Sequence, residues 1–558
     1  MKEQVETNDS STLRAPRQDA EGMQVMSVRS TPSTRRLLIT SAVFIMLGNL
    51  VSSVLGLMRQ SVVAALGAST TAPFIAALAP LQTFLDLLAN GTVSGALIPT
   101  FADYSDDERR QELGRIVSSI INLLILVTLT ISVVFFFVAP WFVTHVLANG
   151  FTLRQQALTI QLSQFIMFAL VIMGPFAVLQ AALYACHKFG RAAFAAGFLH
   201  VGVIAGAVAT SAWGATQFGH LGLAFGVILG ALVQIALLVP ALRRYKLPYS
   251  LVLDLRHPAI KRILGLYVPL APSYLVSMCF VFIDLSLASR TPGNPAANVA
   301  ALKLATAVIQ FPVGLVAAAL SFAILPLLSR HAADNDEVQF KETLTLGLRL
   351  GLLLMIPAAA GLIVLRYPIT SLLFEHRHYT AQNAALTAVV LQNYAYQLPF
   401  VVVDQLVMFA FYARKNTTVP VVVGFGCYGF YALVAFPFYK TIGAPSLAFA
   451  NTFQNAMHGL ILLILFHRYF GSLDLRASLP SVLKMVVAAS VMVAAVWGLQ
   501  KMMIGYPLFS QRTLRGQILT MLITGSTAIT VYFGGIWLLK IEEGSLLKKV
   551  VFARMVKR

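Results

Sequence analysis

Long runs of Leu, Ile, Val, Ala and Phe, separated by short polar stretches, set the rhythm of this chain. They can be drawn at roughly 37–65, 72–100, 116–147, 156–186, 191–213, 219–242, 260–289, 297–328, 342–373, 381–413, 418–439, 444–466, 480–503 and 515–539. Each is long enough for a helix to cross about 30 Å of hydrocarbon. None shows the short alternating pattern of a barrel strand, so the runs predict an all-α polytopic membrane protein with about fourteen transmembrane helices.

The marks inside those runs repeat in order. Arg59, Pro80, Asn90, Ile98-Pro99 and the acidic Asp103/Asp106/Asp107 loop are echoed by Asp284, Pro312, Leu325-Pro326 and His331/Asp334/Asp336. Gly174-Pro175-Phe176 followed by Tyr184-Ala185 returns as Leu398-Pro399-Phe400 followed by Tyr412-Ala413. A duplication in the same hydropathy phase predicts two parallel-repeat six-helix lobes around an axis along the membrane normal, the plan of alternating-access carriers. The expected division is a disordered tail over 1–34, a first lobe over 35–244, an interfacial linker over 245–258 and a second lobe over 259–470. Two further helices follow over 471–545, then a basic tail over 546–558.

Composition agrees with a membrane chain and closes off other classes. Hydrophobic residues make up 58% of 558, charged ones 11%, and mean hydropathy is +0.77. A formal charge of +19 would suggest nucleic acid in a soluble protein. Here Arg35/Arg36, Arg109/Arg110, Lys188/Arg191, Arg243/Arg244/Lys246, Arg330/Lys341, Arg414/Lys415, Arg468/Arg476 and the C-terminal Lys/Arg cluster fall on one side if every run crosses once. The positive-inside rule places that side, with both termini, in the cytoplasm of a cytoplasmic-membrane protein. Cys186, Cys279 and Cys427 lack paired or metal-ligand spacing, so no metal or cofactor is expected. No nucleophile elbow, phosphate-cradling Gly-rich loop or zinc motif appears, which speaks against an enzyme.

Ionisable groups at membrane depth are costly and mark pathways or paired sites. Arg59, Asp86, Asp284, Lys303 and Asp404 are the candidates. Gln82, Asp86 and Asn90 recur at helical spacing and share a face. Arg59 and Lys303, from corresponding regions of the two halves, could present positive charge to a phosphate, unless Arg59 serves as a structural ion-pair partner of Asp86. Asp284 and Asp404 are candidates for a coupling proton or cation, against a plainer reading as helix-end carboxylates. Asn451, Gln454, Asn455 and His458 form a polar face suited to interhelical hydrogen bonds. Glu375, His376, Arg377 and His378 read as solvated loop charge.

Several of these positions carry a resemblance to a known family. Gly56-Leu57-Met58-Arg59, Leu66-Gly67-Ala68, Ala89-Asn90-Gly91 with Ser94, Ala96-Leu97-Ile98-Pro99 and Tyr104 resemble the opening of the MurJ (MviN) family. Gln310-Phe311-Pro312 with Gly314-Leu315, Ala323-Ile324-Leu325-Pro326, and Phe411-Tyr412-Ala413-Arg414 with Thr417, Thr418 and Pro420 extend it into the second half. The resemblance spans roughly 37–470. It implies fourteen helices and a lipid II flippase of the multidrug/oligosaccharidyl-lipid/polysaccharide exporter superfamily, moving an undecaprenyl-pyrophosphate-linked glycan across the membrane.

The departures thin the expected cations. Ser53 stands where family members carry an Arg, Leu85 and Asp86 where they carry an Arg pair, and Asn90 where they carry Glu. Ala307 replaces a further Arg, with Lys303 one turn earlier on the same face as a substitute, and Tyr428 and Ala432 occupy places that relatives give to Asn or Asp. Arg59, Lys303, Asn90, Gln310, Asp86 and Ser53 are the expected substrate-binding set. Arg59 and Lys303 contact phosphate, and Asp86 and Asn90 shape the cavity. The expected partners are the lipid-linked glycan and membrane lipids, with cell-wall synthesis proteins as candidates and no nucleic acid. A small-molecule exporter of the same superfamily and a non-transporting cell-wall scaffold are the alternatives.

Overall fold

The structure, a computed structural model, describes residues 48, 50–89, 96–186, 189–213, 219–245, 247, 249–267, 271–510 and 513–544. The expected N- and C-terminal tails lie outside the described residues.

The first half of the chain supplies α1 (Leu50–Ala64) and α2 (Ala68–Ala89), α3 (Ile98–Ala102), α4 (Arg110–Phe142), α5 (Leu153–Ile166), α6 (Leu170–Ala185), α7 (Phe189–Ala195), α8 (Phe198–Trp213) and α9 (Leu221–Arg244). An extended stretch leads to α10 (Pro258–Tyr267). The second half follows with α11 (Ala271–Ser289), α12 (Pro295–Ala333), α13 (Glu337–Val364), α14 (Arg366–Phe374), α15 (Ala381–Ala395), α16 (Leu398–Ala413), α17 (Thr418–Phe438) and α18 (Ala444–Phe470), and then α19 (Leu475–Met503) and α20 (Leu514–Leu538). Among the described residues ten helices are long and apolar enough to cross a membrane, or eleven if α15 and α16, bent by 42°, form one span. Helix starts are closed by side chains at the polar boundaries. Thr152 and Gln155 form a reciprocal capping box on α5, and Asn294, Asp336, Thr380, Asp474 and Thr513 each accept from a backbone N–H in the first turn.

Buried apolar residues segregate by half. One core joins α2, α4, α5, α6, α8 and α9 through Phe74, Leu81, Phe135, Leu162, Leu170 and Leu223. A larger one is built from α11–α20 and takes in Ala64, Ala68, Ala72, Ile75, Ala76, Val143, Leu147, Ala148 and Phe151 from the first half. The small residues of α2, with the apolar stretch that follows α4, therefore form the seam where the halves meet. The final pair, α19 and α20, is fixed to α13 and α14. Tyr532 donates to the Leu353 carbonyl at 2.8 Å, Gln517 donates to Ser371 at 3.0 Å, and Arg349 lies 3.5 Å from a Glu543 that is only 3% exposed. Arg349 also donates to Ser478, and Ser481 donates to Glu543, so this buried pair is fully surrounded by partners.

The tightest helix pair in the first half depends on missing side chains. Gly202 and Gly206 on α8 face Gly222, Gly226 and Gly230 on α9, and a Cβ at Gly206 would fall 2.3 Å from the Gly222 carbonyl oxygen. In a bilayer, where burying apolar surface drives little association, such small-x-x-x-small seams hold helices by close backbone packing.

Hydrogen bonds between the halves are concentrated at the end opposite the basic loops. Asn149 Oδ1 accepts from Arg290 Nε at 2.7 Å and from Ser286 and Ser289 at 3.3 Å, while the Gly150 N–H donates to Ser289 at 3.2 Å. The His378 N–H donates to the Ala65 carbonyl at 3.3 Å, Arg377 donates to Ser211 at 2.5 Å, and Ser61 donates to the Leu373 carbonyl. The 375–378 loop is thus a latch between halves, with Arg377 and His378 themselves exposed as its reading as solvated charge expects. Beneath it Tyr379 is buried against Thr387, and burial pushes its phenol up to about 12. Gly150 is needed there, since a Cβ would stand 1.9 Å from the Ser289 carbonyl oxygen.

A leucine at Gly206 or Gly226 is expected to wedge α8 from α9 and destabilise the protein by about 1–3 kcal/mol. The check is the melting temperature of the detergent-solubilised variants against Gly498→Leu, whose added side chain meets open space. Equal melting temperatures would contradict the role given to the glycine seam.

Candidate functional site

A cavity of about 600 Å³ lies along the seam between the halves. On one side α1 contributes Arg59 and Gln60, and α2 contributes Gln82, Thr83 and Asp86. The prolines of α2, Pro73 and Pro80, both precede those polar positions, Pro80 by two residues from Gln82. On the other side α11 brings Ser277, Phe280 and Asp284, α12 brings Lys303, Thr306 and Gln310, and α15–α18 add Tyr394, Gln397, Tyr428, Tyr431, Asn451, Gln454 and Asn455.

Two cations and two carboxylates share this volume. Lys303 is near enough to Arg59, Asp86 and Asp284 to feel the charge of each. Its side chain and that of Gln310 are exposed to the cavity, whereas Arg59, Asp86 and Asp284 are half-buried in its wall. Asp284 accepts a hydrogen bond from the Tyr431 hydroxyl. It sits well inside the site, which corrects its plainer reading as a helix-end carboxylate. Arg59 also has His200 of α8 close by, stacked above Gly56 at 3.4 Å from an added Cβ.

The second-half wall is rich in amides and aromatic rings. Asn455 donates to Gln397 at 2.5 Å and to Asn451 at 3.2 Å, and Phe280 lies flat on Tyr428 with ring centroids 3.7 Å apart. Amide groups that can both donate and accept, next to flat aromatic faces, suit hydroxyl-rich or peptide-like ligands. The cations suit an anionic group between the halves.

Three expected residues fall elsewhere. Ser53 is exposed on α1 and does not line the cavity. Asn90 lies outside the described residues. Asp404, on α16, is turned from the cavity toward α18, where His458 Nδ1 lies 2.7 Å from its carboxylate oxygen and His458 Nε2 lies 3.2 Å from the Pro420 carbonyl at the start of α17. It is neither at a helix end nor facing a loop, because the neighbouring imidazole gives it a partner at depth. The tyrosines Tyr394 and Tyr431 were missed by a search confined to charges, as was the Arg349–Glu543 pair, whose arginine interrupts an otherwise apolar run.

The arrangement has known counterparts. A family profile described as lipid II flippase MurJ matches residues 62–514. A probable lipid II flippase MurJ of Bdellovibrio bacteriovorus is 26% identical over 522 residues, covering 92% of this chain and 97% of the relative. The lipid II flippase MurJ of Burkholderia cenocepacia is 28% identical over 424 residues, covering 74% and 81%. Among solved structures, a lipid II flippase MurJ in an inward closed conformation superposes with a TM-score of 0.71 at 19% identity, covering 92% of this chain and all of that one. An inward-facing multidrug resistance MATE family transporter of the MOP superfamily follows with a TM-score of 0.64 at 15% identity, covering 76% and 95%. The profile runs from the end of α1 into α20 and takes in nearly every residue of the cavity wall, and on that ground this multi-pass membrane protein belongs to the lipid II flippase MurJ family.

Proposed function

We propose that this chain translocates lipid II across the cytoplasmic membrane by alternating access, with the basic loops and both termini in the cytoplasm. The observation that carries the reading is the meeting of Arg59 from the first half and Lys303 from the second in one cavity. A pyrophosphate held between them would tie substrate binding to the relative position of the halves. Arg59 supplies a planar fork for two phosphate oxygens and Lys303 a point charge. Asp86 and Asp284 keep the empty cavity near electrical balance, so the cations are tolerable before substrate arrives. Gln397, Asn451, Gln454 and Asn455 then face the glycan and peptide, and Gln310 lies about two turns beyond Lys303 on the same face of α12.

The seal at Asn149, Gly150, Ser289 and Arg290 supports a state closed to the outside. Opening requires those bonds to break while the halves pivot on the small residues of α2. For energy coupling, the geometry favours Asp404 over Asp284. Asp284 is engaged with Tyr431 and lies near Lys303, whereas the His458 imidazole stands between the Asp404 carboxylate, 2.7 Å from Nδ1, and the Pro420 carbonyl, 3.2 Å from Nε2. Only a doubly protonated imidazole can donate to both. Loss of that proton would loosen the link between α16, α17 and α18, which gives a proton a structural consequence.

Arg59→Ala and Lys303→Ala are each expected to weaken lipid II binding by about tenfold to a hundredfold, the loss of one charge-assisted contact. They should fail to restore growth of flippase-depleted cells at normal membrane abundance; full rescue by both would contradict the assignment. For the seal, Gly150→Val should increase labelling of a cysteine placed at Gln310 by an impermeant thiol reagent added outside, in a background with Cys186, Cys279 and Cys427 changed to Ser. Gly361→Val, where an added Cβ meets open space, is the control, and equal labelling would refute the seal. In proteoliposomes, His458→Gln and Asp404→Asn should abolish the response of translocation to an imposed pH gradient while lipid II still binds. A retained response would remove the dyad from coupling.

A further inference from the structure

Three primary amides meet on the second-half wall of the central cavity, and two different helix features bring them there. Asn451 and Asn455 stand one turn apart on α18 and share a face, while Gln397 comes from the break between α15 and α16. That break bends the two helices by 42°. Its cause is local, since Pro399 in the first turn of α16 has no N–H to offer the Ala395 carbonyl. Gln397 is the N-cap residue of α16, yet its side chain makes no capping bond, and only 4% of its surface is exposed. The side chain is turned toward α18 instead, where Thr452 donates to the Asn393 carbonyl at 2.7 Å and holds the helices together at this level.

The hydrogen bonds inside the triad run in one direction. Asn455 Nδ2 donates to Gln397 Oε1 at 2.5 Å and to Asn451 Oδ1 at 3.2 Å. A primary amide has one oxygen that accepts and one nitrogen that donates twice. Gln397 and Asn451 have thus each committed the oxygen to Asn455 and kept the NH2 group. Among the described residues no protein group accepts from either nitrogen, and neither nitrogen is sealed from the cavity that both residues line. The donors of Asn455 are used within the wall, and those of its two neighbours are left to the cavity.

This part of the wall also has no charge of its own. Of the four charged side chains that line the cavity, Arg59 and Asp86 come from α1 and α2, and Asp284 and Lys303 come from α11 and α12. From α15–α18 the polar lining consists of amides and phenols, and His458, one turn beyond Asn455, is engaged with Asp404. A carboxylate placed against the triad would exchange water for neutral donors alone, at a large desolvation cost. A carbonyl needs only the two N–H groups that it would find there.

We propose that Gln397 and Asn451 together donate to an amide carbonyl of the substrate headgroup, with Asn455 as the residue that positions them. The inference rests on the lipid II reading and refines it. Lipid II offers this chemistry in two places, the acetamido groups of its sugars and its peptide. The charged seam grips the pyrophosphate, which is common to every polyprenyl-pyrophosphate carrier, and the amide wall selects the headgroup. A site built to donate to a carbonyl rejects an analogue without one, because its buried donors are then left unpaired.

The test is the affinity of the purified full-length protein in nanodiscs for undecaprenyl pyrophosphate, its glucosyl derivative, its N-acetylglucosaminyl derivative and lipid II. Each affinity is read relative to undecaprenyl pyrophosphate, which presents no carbonyl. The wild type should prefer the N-acetylglucosaminyl lipid to the glucosyl lipid by at least about tenfold, the effect of two neutral hydrogen bonds. Gln397→Met and Asn451→Leu, which remove one donor group and nearly keep the volume, should each lower the preference by about threefold to tenfold. Asn455→Leu leaves both donor groups in place but unpositioned and should abolish it; if that variant fails to fold, Gln397→Met decides. Lys303→Ala should weaken all four probes together and leave the preference as it is. A wild type that binds the two sugar lipids alike and lipid II more tightly, with that preference lost in the variants, would assign the carbonyl to the peptide and support the proposal. Equal binding of all four probes by the wild type, or a preference that survives in the variants, would overturn it. A wild type that binds none of the four would overturn the lipid II reading itself and this inference with it.

Discussion

A charge in hydrocarbon must find a partner or water, and this constraint arranges the molecule. At membrane depth Arg59, Asp86, Asp284 and Lys303 gather around a single volume on the seam between the halves. Away from it, Arg349 pairs with Glu543 and His458 with Asp404. The division separates two roles. The paired groups fix helices to one another, and the cavity groups face a space that changes when the halves move.

Rigidity and motion are divided in a similar way. Glycine against glycine locks α8 to α9, and a buried ion pair with two tyrosine and glutamine bonds fixes α19 and α20 to the second half. Between the halves the contacts are alanine-rich along α2 and hydrogen-bonded at one end, through Asn149, Gly150, Ala65 and the 375–378 loop. A few hydrogen bonds, each worth about 0.5–1.5 kcal/mol net, hold that end closed. Such a seal is firm enough to define a state and weak enough to be opened by a substrate that binds the open form better.

Much of this was legible in the chain. Membrane-length apolar runs gave the helical class, and the cost of buried charge picked out Arg59, Asp86, Lys303 and Asp284, which the fold brings together. Gln310 came from a motif and reaches the same wall. Ser53 was chosen by its place in the motif, but position along a helix says nothing about which side of α1 faces the cavity, and it faces away. Asp404 was found as a charge at depth while its partner was hidden, because His458 is far away in sequence and reads as one more polar residue on α18. The charges of the 375–378 loop read as solvated, and Arg377 and His378 are exposed; the loop's contact with Ala65 and Ser211 is a property of how the halves meet. The Gly-x-x-x-Gly spacing of α8 and α9 was present in the sequence and would have marked that pair.

The central claim is that the substrate's pyrophosphate sits on the seam, shared between the halves. A cryo-electron microscopy structure of the protein with lipid II in a nanodisc tests it most directly. The account predicts pyrophosphate density within hydrogen-bonding reach of both Arg59 and Lys303, with the glycan against Gln397, Asn451 and Asn455. Density for the pyrophosphate on one half alone, or on Arg110, Arg243 and Arg244 with an empty central cavity, would contradict it.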